Sequence, residues 1–386
     1  MPIRIALSSF EYDRNLIGGA GVYALELSRW LERYCTLSVY SCAAYQTPPD
    51  TFAAAWYGRG ASNVTYKRLP RLLRHHGVMA FYYYALFQQR PKEGDVYLVN
   101  DLSPGVAPYR NQPIVQIAHH LPSSELNQPS VSAKARVGLT LLASLERRAF
   151  KRARVIICQS KDTMQRTRLR YPEEAGKLTM IPNGVDVELF KPVDDERTDN
   201  GRVGTPFILC VARGLEARKG ISHLIEAFAA TQRVTGVKLI IIGGDSQGLK
   251  RHILGRVRAL GVANAITFID SVSLNDLIDL YRRATLTVVP SLLEGFSRPA
   301  LESMACGTPV IGSAVGAMPE LVDERSGVLV PPGDTQSLSA ALVDLLRDTE
   351  RTTRMGVAAR GRAIAYFAWD VISRKVLDAC ETAASE

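Results

Sequence analysis

The chain contains six cysteines (Cys35, Cys42, Cys158, Cys210, Cys306 and Cys380), but no Cys-x-x-Cys pair and no metal-type spacing. They are expected to pack as small reduced hydrophobes, not as a disulfide framework. No apolar run reaches the roughly 18 residues that a membrane span needs. No secretory leader is legible either, because Met1-Pro2-Ile3-Arg4 runs straight into a strand-like segment. A cytoplasmic chain is therefore expected. Low-complexity tracts and short repeats are lacking, and so is an Asp-x-Asp at a strand exit. With 386 residues, 46% hydrophobic and 22% charged, there is enough apolar material for two ordinary globular cores.

Charge is unevenly divided. Residues 1–190 hold 24 Lys/Arg against 15 Asp/Glu, and residues 191–386 hold 23 of each, so the net +9 belongs to the first half. That half is expected to face something anionic: a phosphate-bearing acceptor, an anionic membrane surface or nucleic acid. A basic solvated face that aids solubility is the alternative.

Short β-branched runs alternate with helix-length patterns. In the first half they are "IRIAL" (3–7), "TLSVYS" (36–41), "DVYLV" (95–99), "PIVQIA" (113–118) and "RVIIC" (154–158), with helical patterns at 21–34, 71–90, 133–152 and 160–170. The second half repeats the scheme with "PFILCVA" (206–212), "VKLIIIGG" (237–244), "AITFI" (265–269), "TLTVVP" (285–290), "PVIGS" (309–313) and "GVLVP" (327–331). Strands apolar on both faces and joined by helical crossovers predict parallel sheets covered on both sides. The turn-rich segment 181–206 reads as a linker. The expected fold class is α/β, with two doubly wound Rossmann-like domains facing across a cleft and a site at the carboxyl ends of the strands.

Four stretches carry candidate chemistry. In "IGGAGVYALEL" (17–27), Gly19 opens a helix where backbone N–H groups can approach a phosphate. The Gly-x-Gly pattern there is not a dinucleotide fingerprint, since it comes about ten residues after the strand and no acid closes the second strand. A helix entrance without a ligand stays open as a reading. "CVARGLEARKG" (210–220) puts Arg213 and Lys219 on a strand exit, where a planar fork and a point charge can clamp a leaving diphosphate; a solvated basic loop is the alternative. "SLLEGFSRPALE" (291–302) sets Glu294 on an exit loop and Glu302 in the following helix, with Ser297 as N-cap, Pro299 in the first turn, and Ala300, Leu301, Met304 and Ala305 as its apolar face. Two carboxylates flanking a helix start can accept from ribose on one side and hexose on the other; an exposed acid favoured by the dipole would account for Glu302 alone. His119-His120 follows a strand, and either a substrate contact or a structural role fits.

In this order, these pieces resemble the retaining GT-B glycosyltransferases of family four, the glycosyl transferases group 1. The most specific part is Glu294 to Glu302, which is similar to that family's E-x7-E signature, followed by "SMACGTPVIGSAVGAMPELV" (303–322) and "GVLVPPGD" (327–334). "IPNGVDVELF" (181–190) resembles the interdomain hallmark, and "YFAWDVISRKVL" (366–377) the terminal helix that crosses back. The resemblance implies an acceptor-binding domain at 1–185, a nucleotide-sugar domain at 186–366 and a returning helix at 367–386. It implies Gly19 beside the donor phosphates, Arg213 and Lys219 on the diphosphate, and Glu294 with Gly295, Phe296 and Ser297 on the transferred sugar. Glu302 would bind the ribose, Val272 would lie near the base, and His119, ahead of His120, beside the reacting sugar. Two departures stand out: Ser297-Arg298 replaces the usual glycine and apolar residue, and Asp270 stands where many members have glycine.

The activity so implied is retaining transfer from a nucleotide-diphosphate sugar to a hydroxyl, with front-face attack, a phosphate oxygen taking the proton, and no metal or further cofactor. Cell-surface polysaccharide or glycolipid assembly is the expected setting, with a saccharide or lipid-linked acceptor and no nucleic acid; the start of the chain also resembles glycogen-synthase-like members, which keeps an α-glucan acceptor open. The basic and aromatic segment 66–90 could dock on an anionic membrane, placing the chain peripherally at the inner face; the core side of a crossover helix is the alternative. A sugar-nucleotide epimerase or hydrolase of the same architecture, or a non-catalytic sugar-nucleotide-binding subunit, are the competing functions.

Overall fold

The computed structural model describes residues 2–12, 19–42, 61–67, 85, 94–106, 112–119, 121–126, 133–193, 206–245 and 248–385. They fall into two compact units, Met1–Gly184 joined by Trp369–Glu386, and Val185–Ala368.

The first unit is built on seven parallel strands: β1 (Arg4–Ser8), β2 (Thr36–Cys42), β3 (Val64–Lys67), β4 (Val96–Val99), β5 (Ile114–Ala118), β6 (Val155–Cys158) and β7 (Leu178–Met180). Their spatial order is β3-β2-β1-β4-β5-β6-β7. Ile5 stands opposite Leu37 on one side and Val96 on the other. Every residue of β4 and β5 is buried, as expected of strands covered on both faces. On one face, Leu7, Leu37 and Leu98 meet Leu25 and Leu27 of helix Gly19–Leu31 together with Trp369, Ile372 and Val376 of helix Trp369–Ser385. On the other, Tyr97 and Ile156 meet Phe150 of helix Ala133–Arg152.

The second unit has six parallel strands: β8 (Phe207–Gly214), β9 (Lys238–Gly244), β10 (Ile266–Ile269), β11 (Leu286–Val289), β12 (Val310–Ser313) and β13 (Gly327–Val330). Their order is β10-β9-β8-β11-β12-β13. Its core joins Ile208, Leu239, Ile241 and Val288 to Leu224 and Phe228 of helix Ile221–Thr235 and Leu342 of helix Thr335–Arg347. Side-chain caps set helix starts: Ser160 accepts from Thr163 N, Ser273 from Asp276 N, and Asp334 from Gln336 and Ser337 N.

Both sheets are wound in two directions. The chain begins mid-sheet at β1 or β8, moves outward through two strands, and returns to the other side of its starting strand at β4 or β11. The loops leaving β1 and β4, and those leaving β8 and β11, therefore diverge at the carboxyl edge, where open α/β sheets make their ligand crevices.

Several details differ from the sequence reading. Strands β3 and β7 were not anticipated; each is short, and neither stands out as a long β-branched run. Segment 181–190 is packed: Ile181, Val185 and Phe190 are buried, and the Arg360 guanidinium donates to the carbonyls of Val187 and Phe190, both at 2.8 Å. Of segment 66–90, all but Tyr66, Lys67 and Ala85 lies outside the described residues. The five cysteines with described side chains are buried and free. Among the described residues, no helix is long and apolar enough to cross a membrane, and no group of His, Cys, Asp or Glu is placed to hold a metal ion.

Candidate functional site

In the second unit the crevice is built from two clasped loops. After β8 the chain makes a tight turn, Ala217–Lys219, and enters helix Ile221–Thr235 through Gly220 at φ 66°. A side chain at position 220 would strike the carbonyl oxygen of Pro290 at 2.0 Å, so glycine permits this turn to lie against the exit of β11. Leu292 N donates to Arg218 O at 2.7 Å and locks the loops together. Across this junction Lys219 Nζ meets Glu294 Oε2 at 2.6 Å, and Ser291 Oγ donates to the same oxygen at 3.0 Å. The two side chains retain 16% and 10% of their exposure, so the ion pair is largely withdrawn from water. The loop after β12 closes the site from the other side. Gly316, at φ 54°, lies where an added Cβ would meet Glu294 O at 2.0 Å, and Ala317 N donates to Gly295 O at 3.1 Å.

Ser297 occupies the N-cap position of helix Arg298–Ala305, and Pro299 sits in its first turn. The serine side chain does not cap the helix; its Oγ is buried without a hydrogen-bond partner. Ala300, Leu301, Met304 and Ala305 are buried as their spacing predicts. Glu302 is buried too, receiving the Tyr281 hydroxyl on Oε2 at 3.1 Å and the Arg298 guanidinium on Oε1 at 3.3 Å. Phe296 is half-buried on the exit loop. Val272 is half-buried two residues beyond Asp270, whose carboxylate pairs with Lys250. Arg213 lies near the end of β8, and its side chain is outside the described residues.

The first unit has its own crevice where the turn after β1 meets those after β4 and β5. A cavity of about 240 Å³ is lined there by Phe10, Asn100, Asp101, Leu102, His119 and Leu142, among others. His119 leaves β5 with both ring nitrogens engaged, Nε2 with Asn100 Oδ1 at 2.5 Å and Nδ1 with the Gln159 side-chain amide at 3.0 Å. Burial pushes the Asp101 carboxyl up to about 6, against the pull of backbone N–H groups of Ser103 and Phe10, each donating at 2.8 Å. Gly19 is the exposed first residue of its helix, with open space around it; His120 lies outside the described residues. A wider depression of about 680 Å³ lies at the opposite, amino ends of β5 to β7. There Arg154 and Lys177 are turned onto the carbonyls of Ala383 and Lys151.

The structure thus joins Lys219 to Glu294 directly and places Gly295, Phe296, Ser297 and Glu302 on the same exit loop and helix. Sequence reasoning missed Ser291, Tyr281, Asn100 and Gln159. Ser291 was legible as the first polar residue after a buried strand. Tyr281 carried no signal, since its distance of 21 positions from Glu302 has no local periodicity.

Comparison with known proteins completes the picture. Residues 17–189 match the model of Glycosyltransferase Family 4, and residues 192–362 that of Glycosyl transferases group 1. Alpha-maltose-1-phosphate synthase of Mycolicibacterium smegmatis is 25% identical over 97% of this chain and 98% of its own length. The MMP alpha-(1->4)-mannosyltransferase of Mycolicibacterium hassiacum is 33% identical over 54% of this chain, which spans about half (49%) of that relative. Among solved structures, sucrose-phosphate synthase from Thermosynechococcus elongatus superposes with a TM-score of 0.77 at 25% identity, over 98% of both chains. Anabaena HepE in complex with UDP-glucose superposes with a TM-score of 0.70 at 19% identity, over 100% of both. Matched in order along both halves, the chain belongs to the group 1 glycosyltransferases of family four and has their GT-B fold of two Rossmann-like domains.

Proposed function

We propose that the chain is a retaining, metal-independent hexosyltransferase. It moves a sugar from a nucleotide-diphosphate sugar to a hydroxyl of a saccharide or lipid-linked acceptor, in cell-surface polysaccharide or glycolipid assembly. The observation that carries this is the largely covered Lys219–Glu294 contact at the switch point of the second sheet, 2.6 Å between Nζ and Oε2. An arriving diphosphate offers Lys219 a second anion, and Glu294 is then released to accept from the hydroxyls of the transferred sugar. Glu302, whose carboxylate accepts from Tyr281 and Arg298, is the acceptor for the ribose hydroxyls. Val272 borders the base, and Gly19 allows backbone approach to the phosphates.

In the transfer, the bond from the anomeric carbon to the phosphate oxygen breaks while a bond to the acceptor oxygen forms on the same face, and the departing phosphate oxygen takes the acceptor's proton. Arg213, Lys219 and the helix end behind Glu294 stabilise the charge that grows on the diphosphate. Support comes from the solved Anabaena HepE complexes, which hold UDP and UDP-glucose, and from the glycosyl transfer named for the curated relatives. Peripheral docking through 66–90 on an anionic bilayer belongs to the same proposal; co-sedimentation with anionic vesicles at low salt, lost at high salt, is its expected signature.

The test is incubation with UDP-, GDP- and ADP-sugars, with and without saccharide and lipid acceptors, and with a chelator present. Acceptor-dependent nucleotide release, retained anomeric configuration by NMR and indifference to the chelator are expected. Equal consumption of donor without acceptor would make the protein an epimerase or hydrolase. Binding without turnover across the panel would make it a non-catalytic subunit.

A further inference from the structure

His119 is surrounded by groups whose donor and acceptor roles can be counted. Asn100 Nδ2 donates to the carbonyl of Ala20 at 2.9 Å and to Ser9 Oγ at 3.0 Å. A backbone carbonyl only accepts, so the Asn100 nitrogen is fixed on that side and its oxygen faces His119 Nε2, which must carry the proton. On the other side of the ring stands the Gln159 amide. With the amide oxygen toward Nδ1, the ring would have to be doubly protonated. Gln159 Nε2 and the hydroxyl of Tyr23, which lies beside the same amide, are both buried and outside hydrogen-bond geometry. Tyr23 is fully buried and packs edge-on against the His119 ring at 5.0 Å between centroids.

Half a turn of the Gln159 amide removes the need for that second proton. Its nitrogen then donates to Nδ1, the imidazole is neutral, and its oxygen is turned toward the Tyr23 hydroxyl, a group able to donate. We propose that Asn100, Gln159 and Tyr23 form a clamp that holds His119 as the neutral Nε2–H tautomer, with Gln159 as the positioning residue. Both ring nitrogens are then committed to the protein, and His119 shapes the crevice wall instead of carrying a proton in the transfer. This rests on the reading of that crevice as part of the transfer site, but the clamp itself can be observed without turnover.

The test is the long-range proton–nitrogen NMR spectrum of full-length protein labelled with ¹⁵N-histidine, with the His119 signals assigned by their loss in His119→Gln. The clamp predicts one protonated nitrogen, Nε2, and one unprotonated, Nδ1, at neutral pH. In Gln159→Glu, where a carboxylate faces Nδ1, both nitrogens become protonated. In Gln159→Met, which keeps length but no donor, Asn100 still holds the proton on Nε2, the Nδ1 resonance moves downfield as its hydrogen bond is lost, and kcat falls by about 10²-fold with little change in KM for the donor. A doubly protonated or Nδ1–H ring in the unmodified protein overturns the clamp, as does an unchanged spectrum in Gln159→Met of native melting temperature. A confirmed tautomer in a protein that shows no transfer would instead overturn the functional reading alone.

Discussion

At the residue scale, the proposed function gives Lys219 and Glu294 two jobs. Each is the other's counter-ion, and with a donor bound the proposal gives each a substrate partner. Lys219→Met should therefore lower turnover by roughly 10²–10³-fold, the scale of losing one preorganised charge at a developing anion. It should also cost up to about 3 kcal/mol of stability, because Glu294 is left covered and unpaired. Adding Glu294→Gln should restore stability in denaturant titrations but not activity, separating the two jobs. Tyr281→Phe removes one donor from the buried Glu302 carboxylate and should cost about 1–2 kcal/mol while raising KM for the donor. Asp101 gives a pH signature. Its folded value of about 6 lies above the ordinary 3.8, so the native state holds the extra proton between them, and this group's contribution to stability falls as pH rises from about 4 to 6. The stability of Asp101→Ser relative to the unmodified protein should accordingly improve over that window by up to about 2 kcal/mol; a flat difference would contradict the shift.

At the scale of elements, the site is held by loops that touch through backbone atoms at glycines. Gly316→Ala puts a methyl group against the carbonyl of Glu294 at a positive φ, and should unseat that loop, with loss of activity and more than about 1 kcal/mol of stability. Gly236→Ala, also at positive φ but in open space, should cost only about 1 kcal/mol and leave turnover intact, a control for backbone strain alone. Such glycines also show where sequence reading stops. Helix Ala133–Arg152 was legible to the residue because its apolar period is local, and Glu294 and Glu302 were legible because strand, exit loop and helix follow one another directly. The Leu292–Arg218 clasp and the Tyr281–Glu302 bond join segments 74 and 21 positions apart, and no periodicity within either segment encodes its partner. The failure of Ser297 to cap its helix was equally hidden, since residue type gives the position but not where the hydroxyl points.

For the whole molecule, each unit has its own core, and the chain's last helix completes the first one. Trp369, Ile372, Val376 and Cys380 are buried where this helix packs on β4, β5 and helix Gly19–Leu31, and Gly184 leaves room for the Trp369 ring. Removing residues 369–386 should selectively destabilise the first unit, giving a lowered first transition by calorimetry while the second is unchanged; equal loss in both would contradict this division. Donor binding should act the other way, raising the transition of the second unit first, since Lys219, Glu294 and Glu302 all reside there. The central claim is that these three side chains grip the nucleotide sugar, and a crystal structure of the protein with a bound nucleotide sugar tests it most directly. The account predicts the diphosphate on Lys219 Nζ, the hexose hydroxyls on Glu294 and the ribose on Glu302; a ligand seated elsewhere, with the Lys219–Glu294 pair still closed, would contradict it.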